Sequence, residues 1–225
     1  SFEAKEVIRH VRKANRSLAG GLSGTNYKTL QAWFHDEDAL AESLTAIFNF
    51  VAAGKPPRVV VQLLTAGRGV AISKDDGGIR PIVVGNIILR LIGSMALAKE
   101  ADNIADFFTK PQALQFGVGL EGGCELMNAA IASYLEQNPL HCDIAADATN
   151  AFNSFDRGQM WQPLLQHFPR LFALGRLLYG EAASIIFYED GVGRTEVLNT
   201  VGSRQGCSWG SFSYCHAFHR LLQQL

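Results

Sequence analysis

The spacing of apolar residues predicts helices over much of the chain. Between Asp36 and Ala53, apolar side chains recur every three or four residues, as they do on one face of a helix. These side chains are Leu40, Leu44, Ile47, Phe48 and Val51. Asp36 could cap this helix, and Gly54 followed by two prolines would end it. Further helices are predicted at 1–18, 87–101, 121–136, 153–166 and 170–179, and after 207.

Short apolar runs bounded by turn residues predict strands at 58–64, 70–74 and 80–84. Asp75-Asp76-Gly77-Gly78 separates the second run from the third, and this sequence is a strong turn signal. A second hairpin is predicted where residues 185–188 and 195–198 flank a glycine-containing turn. The apolar run from His141 to Asp147 predicts one more strand.

Asp147 would stand at the end of that strand, just before a polar turn and an amphipathic segment. A carboxylate at the end of a strand is well placed to hold a metal ion rigidly. Magnesium takes mainly carboxylates and substrate phosphates as ligands, so Asp147 could supply half of a site. Aspartate is also a favoured N-cap residue, and the segment alone leaves the two interpretations even.

Composition excludes some classes of protein. A chain of 225 residues with 48% hydrophobic and 18% charged residues is globular, forming one large domain or two small ones. The net charge of −1 gives no general indication of a polyanionic partner. Five basic residues cluster within the first sixteen positions, and we interpret them as the solvated face of a helix. They are Lys5, Arg9, Arg12, Lys13 and Arg16.

The four cysteines lack the spacing of zinc ligands and are predicted to be buried thiols in a reducing compartment. They are Cys124, Cys142, Cys207 and Cys215. This predicts an intracellular protein, without deciding between nucleus and cytoplasm. No apolar run reaches transmembrane length and no signal peptide is present, so no membrane partner is expected. Because the chain begins with Ser1, we expect it to be a fragment of a longer protein.

Three sequence blocks, in this order, resemble one protein family. They are Lys74 with Gly77-Gly78-Ile79-Arg80-Pro81-Ile82, then Asp147-x-x-x-Ala151-Phe152-Asn153-Ser154, then Gly202-Ser203-Arg204-Gln205-Gly206-Cys207. Together they look like the fingers and palm of a reverse transcriptase of the non-LTR retrotransposon type. Segments 24–30 and 117–125 are similar to further blocks of that family, so the resemblance covers nearly the whole chain. Each block alone is weak, whereas the ordered set is fairly specific.

The resemblance implies an α+β fold with reverse-transcriptase-like fingers and an incomplete palm, whose antiparallel sheet packs on helices. Residues 1–57 would be an N-terminal helical and pre-fingers segment, 58–136 the fingers and 137–225 a partial palm. The activity implied is that of an RNA-directed DNA polymerase, a nucleotidyltransferase that uses Mg²⁺. Its implied partners are an RNA template, a DNA primer, a dNTP and the remainder of the parent polyprotein.

The resemblance also assigns roles in the palm. Asp147 would be the catalytic carboxylate that binds metal, in a reaction where two metal ions clamp the attacking and leaving oxygens. Ala148 would offer its backbone carbonyl to a metal or its N–H to the triphosphate. Phe152 would lie under the deoxyribose and exclude a 2′-hydroxyl group.

Four further residues would contact the nucleotide. Lys74 and Arg80 on the fingers would neutralise the triphosphate, and arginine can do so with two parallel hydrogen bonds. Gln205 and Gly206 would line the pocket beside the incoming base and the template, since glycine permits a close backbone approach. Structural alternatives remain open: charges beside a hairpin turn are usually solvated, and Gln205-Gly206 could simply lead into a helix.

The chain departs from the family pattern in one important respect. The family has an aromatic-x-Asp-Asp hairpin after the Arg-Gln-Gly block, and none follows Gln205 here. The acidic pairs at 75–76 and 189–190 precede that block, so we interpret both as turns. Ser208-Trp209-Gly210 also stands where relatives often have Pro-Leu-Gly. With Asp147 alone, we expect the chain as written to be inactive.

Two other classes of function stay open. A degenerate reverse-transcriptase fold could serve as a structural or RNA-scaffolding protein without catalysis. An unrelated α/β metabolic enzyme would need a compact cofactor motif, and no Gly-x-Gly-x-x-Gly sequence opens a helix after a strand.

Overall fold

A computed structural model describes residues 1–33, 38–75, 77–110, 114–189 and 193–224. Within these ranges the protein is a mixed α+β structure. Its helices are α1 (Ala4–Lys13), α2 (Tyr27–Trp33), α3 (Asp38–Ala52), α4 (Arg58–Thr65), α5 (Ile87–Lys99), α6 (Ala101–Phe108), α7 (Gly123–Gln137), α8 (Ala151–Ser154), α9 (Gly158–His167), α10 (Pro169–Tyr179) and α11 (Gly210–Leu222). Its strands are β1 (Gly67–Ser73), β2 (Ile79–Gly85), β3 (Ala183–Glu189) and β4 (Gly193–Asn199).

The four strands form one sheet in the order β2-β1-β3-β4. Both predicted hairpins are confirmed, since β1 pairs with β2 and β3 with β4, each antiparallel. The two strands within the predicted palm segment, β3 and β4, are antiparallel as expected. The sheet that contains them is not purely antiparallel, however, because β1 pairs with β3 in parallel from Gly67↔Ile185 to Gly69↔Phe187. Each of these two strands follows a helix and enters the sheet in the same direction. The sheet is therefore mixed, and it joins the predicted fingers segment to the predicted palm segment.

The strand predicted at 58–64 is wrong, since this segment forms α4. Its β-branched residues favour a strand locally, but tertiary packing overrides that preference. Val61 and Leu64 pack against the core and Thr65 is buried, which is the spacing of one helix face. The carbonyl of Pro57 accepts the first backbone hydrogen bonds, from Val60 and Val61, at 2.9 and 3.0 Å.

The strand predicted to carry Asp147 is also absent. Residues 141–148 have no regular secondary structure, and every one of them is exposed. A strand requires a neighbour to satisfy its backbone hydrogen bonds, and no described element pairs with this segment. Leu140 and Ile144 are accordingly 98% and 85% exposed. Apolar side chains alone did not determine the local structure here.

The helix predictions are largely confirmed. Helix α5 matches its predicted range closely, and the Asn86 side chain caps it by accepting from the Ile88 N–H at 2.9 Å. In α3, Leu44, Phe48 and Val51 are buried as predicted. The prediction that Ile47 shares this buried face is wrong, because Ile47 is 49% exposed. The proposed cap Asp36 lies outside the described residues, as do the turn residues Asp76 and Asp190.

The principal core lies between helices, with Trp209 fully buried near its centre. The Trp209 indole N–H donates to the Gly93 carbonyl of α5 at 3.0 Å, and its ring meets Phe212 edge-on at 5.6 Å. The hydrogen bond to Gly93 fastens the start of α11 to α5. By contrast, Gly123 is the only buried residue of α7, so this helix adds little to the core.

The prediction of buried cysteines is wrong for two of the four. Cys124 and Cys142 are exposed, because they lie on the outlying helix α7 and on the irregular segment after it. Cys207 and Cys215 are half-buried. Burial raises the pKa of the Cys215 thiol to about 11. Among the described residues, no helix combines the length and hydrophobicity needed to cross a membrane.

Three histidines surround Phe107 at one side of the core. The rings of His167, His216 and His219 lie 4.7, 5.7 and 4.5 Å from the Phe107 ring. His216 is 1% exposed and stacks on Phe212. Burial, reinforced by the two neighbouring histidines, lowers the pKa of His216 to about 4. The native state therefore holds this imidazole neutral at physiological pH.

We expect His216 to make the protein sensitive to acid. Its pKa is lower in the native state than the ordinary value of 6.5, so the unfolded chain binds the proton more readily. The free energy of unfolding should be unaffected above pH 6.5 and should fall by up to about 3 kcal/mol as the pH decreases to 4. His216→Phe should flatten this dependence in urea unfolding curves between pH 7 and 4.

His141→Phe is the matched control, because it removes an exposed histidine. The pH dependence of this control should equal that of the unaltered chain. Equal slopes for the unaltered chain and His216→Phe would contradict the prediction.

Candidate functional site

The segment of residues 199–206, which we call the arginine loop, runs from the last residue of β4 toward α11. Two buried arginines hold it in place. Arg157 and Arg204 are 7% and 6% exposed. Neither makes an ion pair with a carboxylate among the described residues. Their hydrogen bonds go instead to backbone carbonyls and to one side-chain amide.

Arg204 reaches from the loop to the ends of two helices. Its guanidinium donates to the Thr65 carbonyl at the end of α4 and to the Leu178 carbonyl near the end of α10. Carbonyls in the last turn of a helix have no partner within the helix and carry partial negative charge. The guanidinium also lies over the Tyr179 ring, 5.4 Å from its centroid. Arg204 therefore anchors the loop to α4 and α10.

Arg157 binds the other end of the arginine loop. Its Nε donates to the Gly202 carbonyl at 2.7 Å, and its Nη2 donates to Asn199 Oδ1 at 2.6 Å. It also donates to the Tyr179 carbonyl at the end of α10, at 3.3 Å. Burial, and then the nearby Arg204, lower the pKa of Arg157 to about 10, so it stays charged at neutral pH.

The arginine loop brings together two blocks that the sequence separates widely. The Ser203 N–H and hydroxyl both donate to the Phe152 carbonyl, at 2.6 and 3.2 Å, which fixes α8 against the loop. The Val83 N–H of β2 donates to the Gln205 carbonyl at 2.7 Å. Because β2 is an edge strand of the described sheet, Gln205 occupies a position that a further strand would take.

Gly206 permits this contact with β2. Its φ is +105°, a conformation that side-chain-bearing residues rarely adopt. A Cβ atom at this position would lie 2.6 Å from the Val83 carbonyl oxygen. The half-buried Gln205 beside it has a buried Oε1 atom without a hydrogen-bond partner among the described residues. The loop is therefore packed against the β1–β2 hairpin, with one amide oxygen unpaired among the described residues.

Phe152 lies in a row of aromatic side chains that sequence reasoning did not predict. Its half-buried ring is 5.4 Å from the Tyr214 ring of α11, which in turn stacks on Phe218 at 5.6 Å. Tyr214 and Phe218 are four residues apart on a helix, and that spacing was the available signal. Burial raises the pKa of Tyr214, and Cys215 and Asp147 raise it further. Asp147 thus lies within electrostatic reach of the residue that packs on Phe152.

The remaining predicted site residues are exposed. Lys74 immediately follows β1, and its N–H donates to the Gly78 carbonyl at 2.8 Å across the turn. Arg80 lies on β2 opposite Ile72, at the same end of the hairpin. No hydrogen bond or ion pair among the described residues joins either side chain to Asp147. The Ala148 carbonyl accepts from the Ala151 N–H at 3.3 Å, within the turn that leads into α8.

The described residues do not form a complete metal centre. Within those parts of the chain, no group of three or more His, Cys, Asp or Glu side chains is arranged to hold a metal ion. Magnesium commonly takes one or two carboxylates and completes its six ligands with water and substrate phosphates. Asp147 is exposed and can supply one such ligand. Asp147 is therefore suited to be one carboxylate ligand of a magnesium site whose other ligands come from elsewhere.

Comparison with known proteins adds no relative. Neither a scan against protein-family models nor a search of curated proteins found a match for this chain.

We expect Gly206→Ala to disrupt the contact between the arginine loop and β2. The added methyl group meets a backbone carbonyl and demands a strained φ, so the free energy of unfolding should fall by about 2 to 4 kcal/mol. Gly193→Ala is a close control, because Gly193 has φ +110° and no atom of the described residues lies within 4 Å of its Cβ position. The control should lose only about 1 to 2 kcal/mol. Equal losses in urea unfolding would show that the contact contributes nothing.

Proposed function

We propose that this chain carries the nucleotide-binding face of an RNA-directed DNA polymerase similar to those of non-LTR retrotransposons. One observation carries the proposal: the arginine loop contacts both the fingers hairpin and the block that follows Asp147. Gln205 bonds to Val83 of β2, and Ser203 bonds to Phe152. These three blocks are distant in sequence, and a template-directed polymerase requires them around one substrate.

The fingers hairpin provides positive charge in this proposal. Lys74 and Arg80 flank one turn, at the end of the hairpin where both side chains are exposed. An exposed lysine and arginine can form charge-assisted hydrogen bonds to a triphosphate, and the arginine can bind two of its oxygens at once. Farther along β2, Val83 bonds to the arginine loop, so the charges and the loop contact are on the same hairpin.

Phe152 is suited to select the sugar. Its backbone is held by Ser203 and its ring by Tyr214, so the ring has a fixed position. A fixed ring beneath a deoxyribose leaves no room for a 2′-hydroxyl group. The buried Oε1 atom of Gln205, on the same loop as Ser203, has no hydrogen-bond partner among the described residues. An unpaired buried acceptor favours a site that a ligand completes.

Asp147 would supply one ligand to Mg²⁺ in this proposal, and the ion when bound would stabilise charge on the transferring phosphoryl group. The chain's own contribution is then to hold the nucleotide between the hairpin, Phe152 and the arginine loop. Such positioning is a large part of catalysis in phosphoryl transfer.

A scaffolding function is the second candidate, and one observation favours it. Asp147 lies on an exposed segment without regular structure, whereas a catalytic carboxylate is usually held rigidly. In that case the chain would bind RNA through its basic surfaces and catalyse no reaction.

Binding to a primer–template duplex should depend on the fingers hairpin. We expect the double variant Lys74→Ala/Arg80→Ala to weaken binding about tenfold in fluorescence anisotropy. The slope of log affinity against log salt concentration should be smaller in magnitude by about 1 to 2, since two phosphate contacts are lost. Arg12→Ala/Lys13→Ala removes two exposed charges from α1 and should leave affinity within about twofold. Equal weakening by both double variants would contradict a specific role for the hairpin.

Primer extension separates the two candidate functions. The assay uses a longer polypeptide in which these 225 residues are joined to an added segment that carries an Asp-Asp hairpin. Asp147→Asn should reduce extension on an RNA template by a factor on the order of 10³, because the metal loses a charged ligand. Phe152→Ala should increase ribonucleotide incorporation relative to deoxyribonucleotide incorporation, and the matched Phe155→Ala variant should not.

Unchanged extension by Asp147→Asn would refute the assigned catalytic role. Unchanged sugar selectivity in Phe152→Ala would show that this ring only packs in the core. No extension by the longer polypeptide itself would favour the scaffold.

A further inference from the structure

A cleft lies on the face of α11 opposite Tyr214. We call it the histidine cleft; its volume is about 510 Å³. Its wall includes Lys110 after α6, His167 at the end of α9, and His216, His219 and Arg220 on α11. None of these residues belongs to the nucleotide site proposed above.

His216 has a ring nitrogen that lacks a partner. The residue is 1% exposed and lines the cleft, and neither Nδ1 nor Nε2 makes a hydrogen bond of good geometry among the described residues. The Pro163 backbone carbonyl, also in the wall, is near enough to raise the pKa of the ring and can satisfy one of the two nitrogens at most. A neutral imidazole carries one N–H donor, and a buried donor left unpaired is costly. The ring is held in a fixed orientation by stacking on Phe212, with centroids 5.5 Å apart and planes inclined by 11°. The fold therefore keeps an imidazole at the cleft whose hydrogen-bonding capacity the described residues do not fill.

The cleft is basic. Lys110 and Arg220 are exposed at its rim, and no acid is among its lining residues in the described part of the chain. Lys110 lies 3.9 Å from Asp106, but that pair is exposed and four residues apart on one turn, so it neutralises little. Burial lowers the pKa values of His167 and His219, and Lys110 lowers both further, as His167 does that of His219. An anion in the cleft would relieve this repulsion.

The arrangement of the rings favours an anion over a metal ion. Phe107 packs against all three histidine rings, and the described residues contain no group of three ligands that could share a metal. Nδ1 of His219 is already bonded to Gln115 Nε2, at 2.9 Å. What the cleft offers is hydrogen-bond donors and positive charge, which suit oxygen atoms of an anion.

We propose that the histidine cleft binds a phosphate group. The buried ring N–H of His216 donates to one phosphate oxygen, and Lys110 and Arg220 bind the others from the rim. The phosphate is either free inorganic phosphate or the phosphoryl group of a larger molecule. This inference does not depend on the proposed polymerase function, because the two sites share no residue.

Thermal unfolding tests the proposal on the whole chain at pH 6.5. Probes are 20 mM inorganic phosphate and 20 mM ribose 5-phosphate, each compared with sodium chloride at equal ionic strength. At a tenfold excess over Kd, the expected rise in Tm is about 3 to 6 °C. A rise with both probes indicates recognition of a phosphoryl group, and a rise with inorganic phosphate alone indicates a site for the free ion. No rise with either probe overturns the proposal.

Two variants assign the response to the cleft. Lys110→Gln/Arg220→Gln should abolish the phosphate-dependent rise in Tm, whereas Lys5→Gln/Arg12→Gln on α1 removes the same charge and should preserve it. This comparison also removes the general effect of phosphate on protein stability. His216→Phe retains the stacking on Phe212 and should lose at least half of the rise. A full response in Lys110→Gln/Arg220→Gln overturns the proposal, even if His216→Phe fails to fold.

Discussion

Two buried guanidinium groups determine how the parts of this protein fit together. Arg157 and Arg204 bind carbonyls at the ends of α4 and α10 and within the arginine loop. A buried charge without such partners would be strongly destabilising. Each guanidinium group is therefore stable in the interior only while the helix ends and the loop keep their positions. The Tyr179 ring lies between the two cations, 5.2 and 5.4 Å from them, and adds a favourable contact to each.

The candidate nucleotide site is a consequence of that anchoring. Once the arginine loop is fixed, Ser203 holds Phe152 from one side and Gln205 meets the edge of the sheet on the other. Gly206 allows the close approach because it has no side chain. The parallel pairing of β1 with β3 fixes the β1–β2 hairpin relative to the same loop. Packing of the scaffold, rather than any one catalytic residue, thus brings the site together.

Helix α11 separates two environments of different chemistry. One of its faces presents Tyr214 and Phe218 toward Phe152, and another presents His216 and His219 toward Phe107. The first face is apolar and ordered by ring stacking. The second carries imidazoles whose pKa values are lowered by burial, most of all that of His216. Trp209, directly before this helix, fastens it to α5.

The sequence by itself determined the elements whose signals are local. Periodic apolar residues predicted α3 and α5, and turn residues between β-like runs predicted both hairpins, because these structures bury or pair residues that are near in sequence. Tertiary structure decided the rest. Segment 58–64 became a helix because Val61 and Leu64 face the core, and segment 141–147 formed no strand because no described strand lies beside it. The burial of Arg157, Arg204 and His216 was equally unpredictable, since each depends on groups more than twenty residues away.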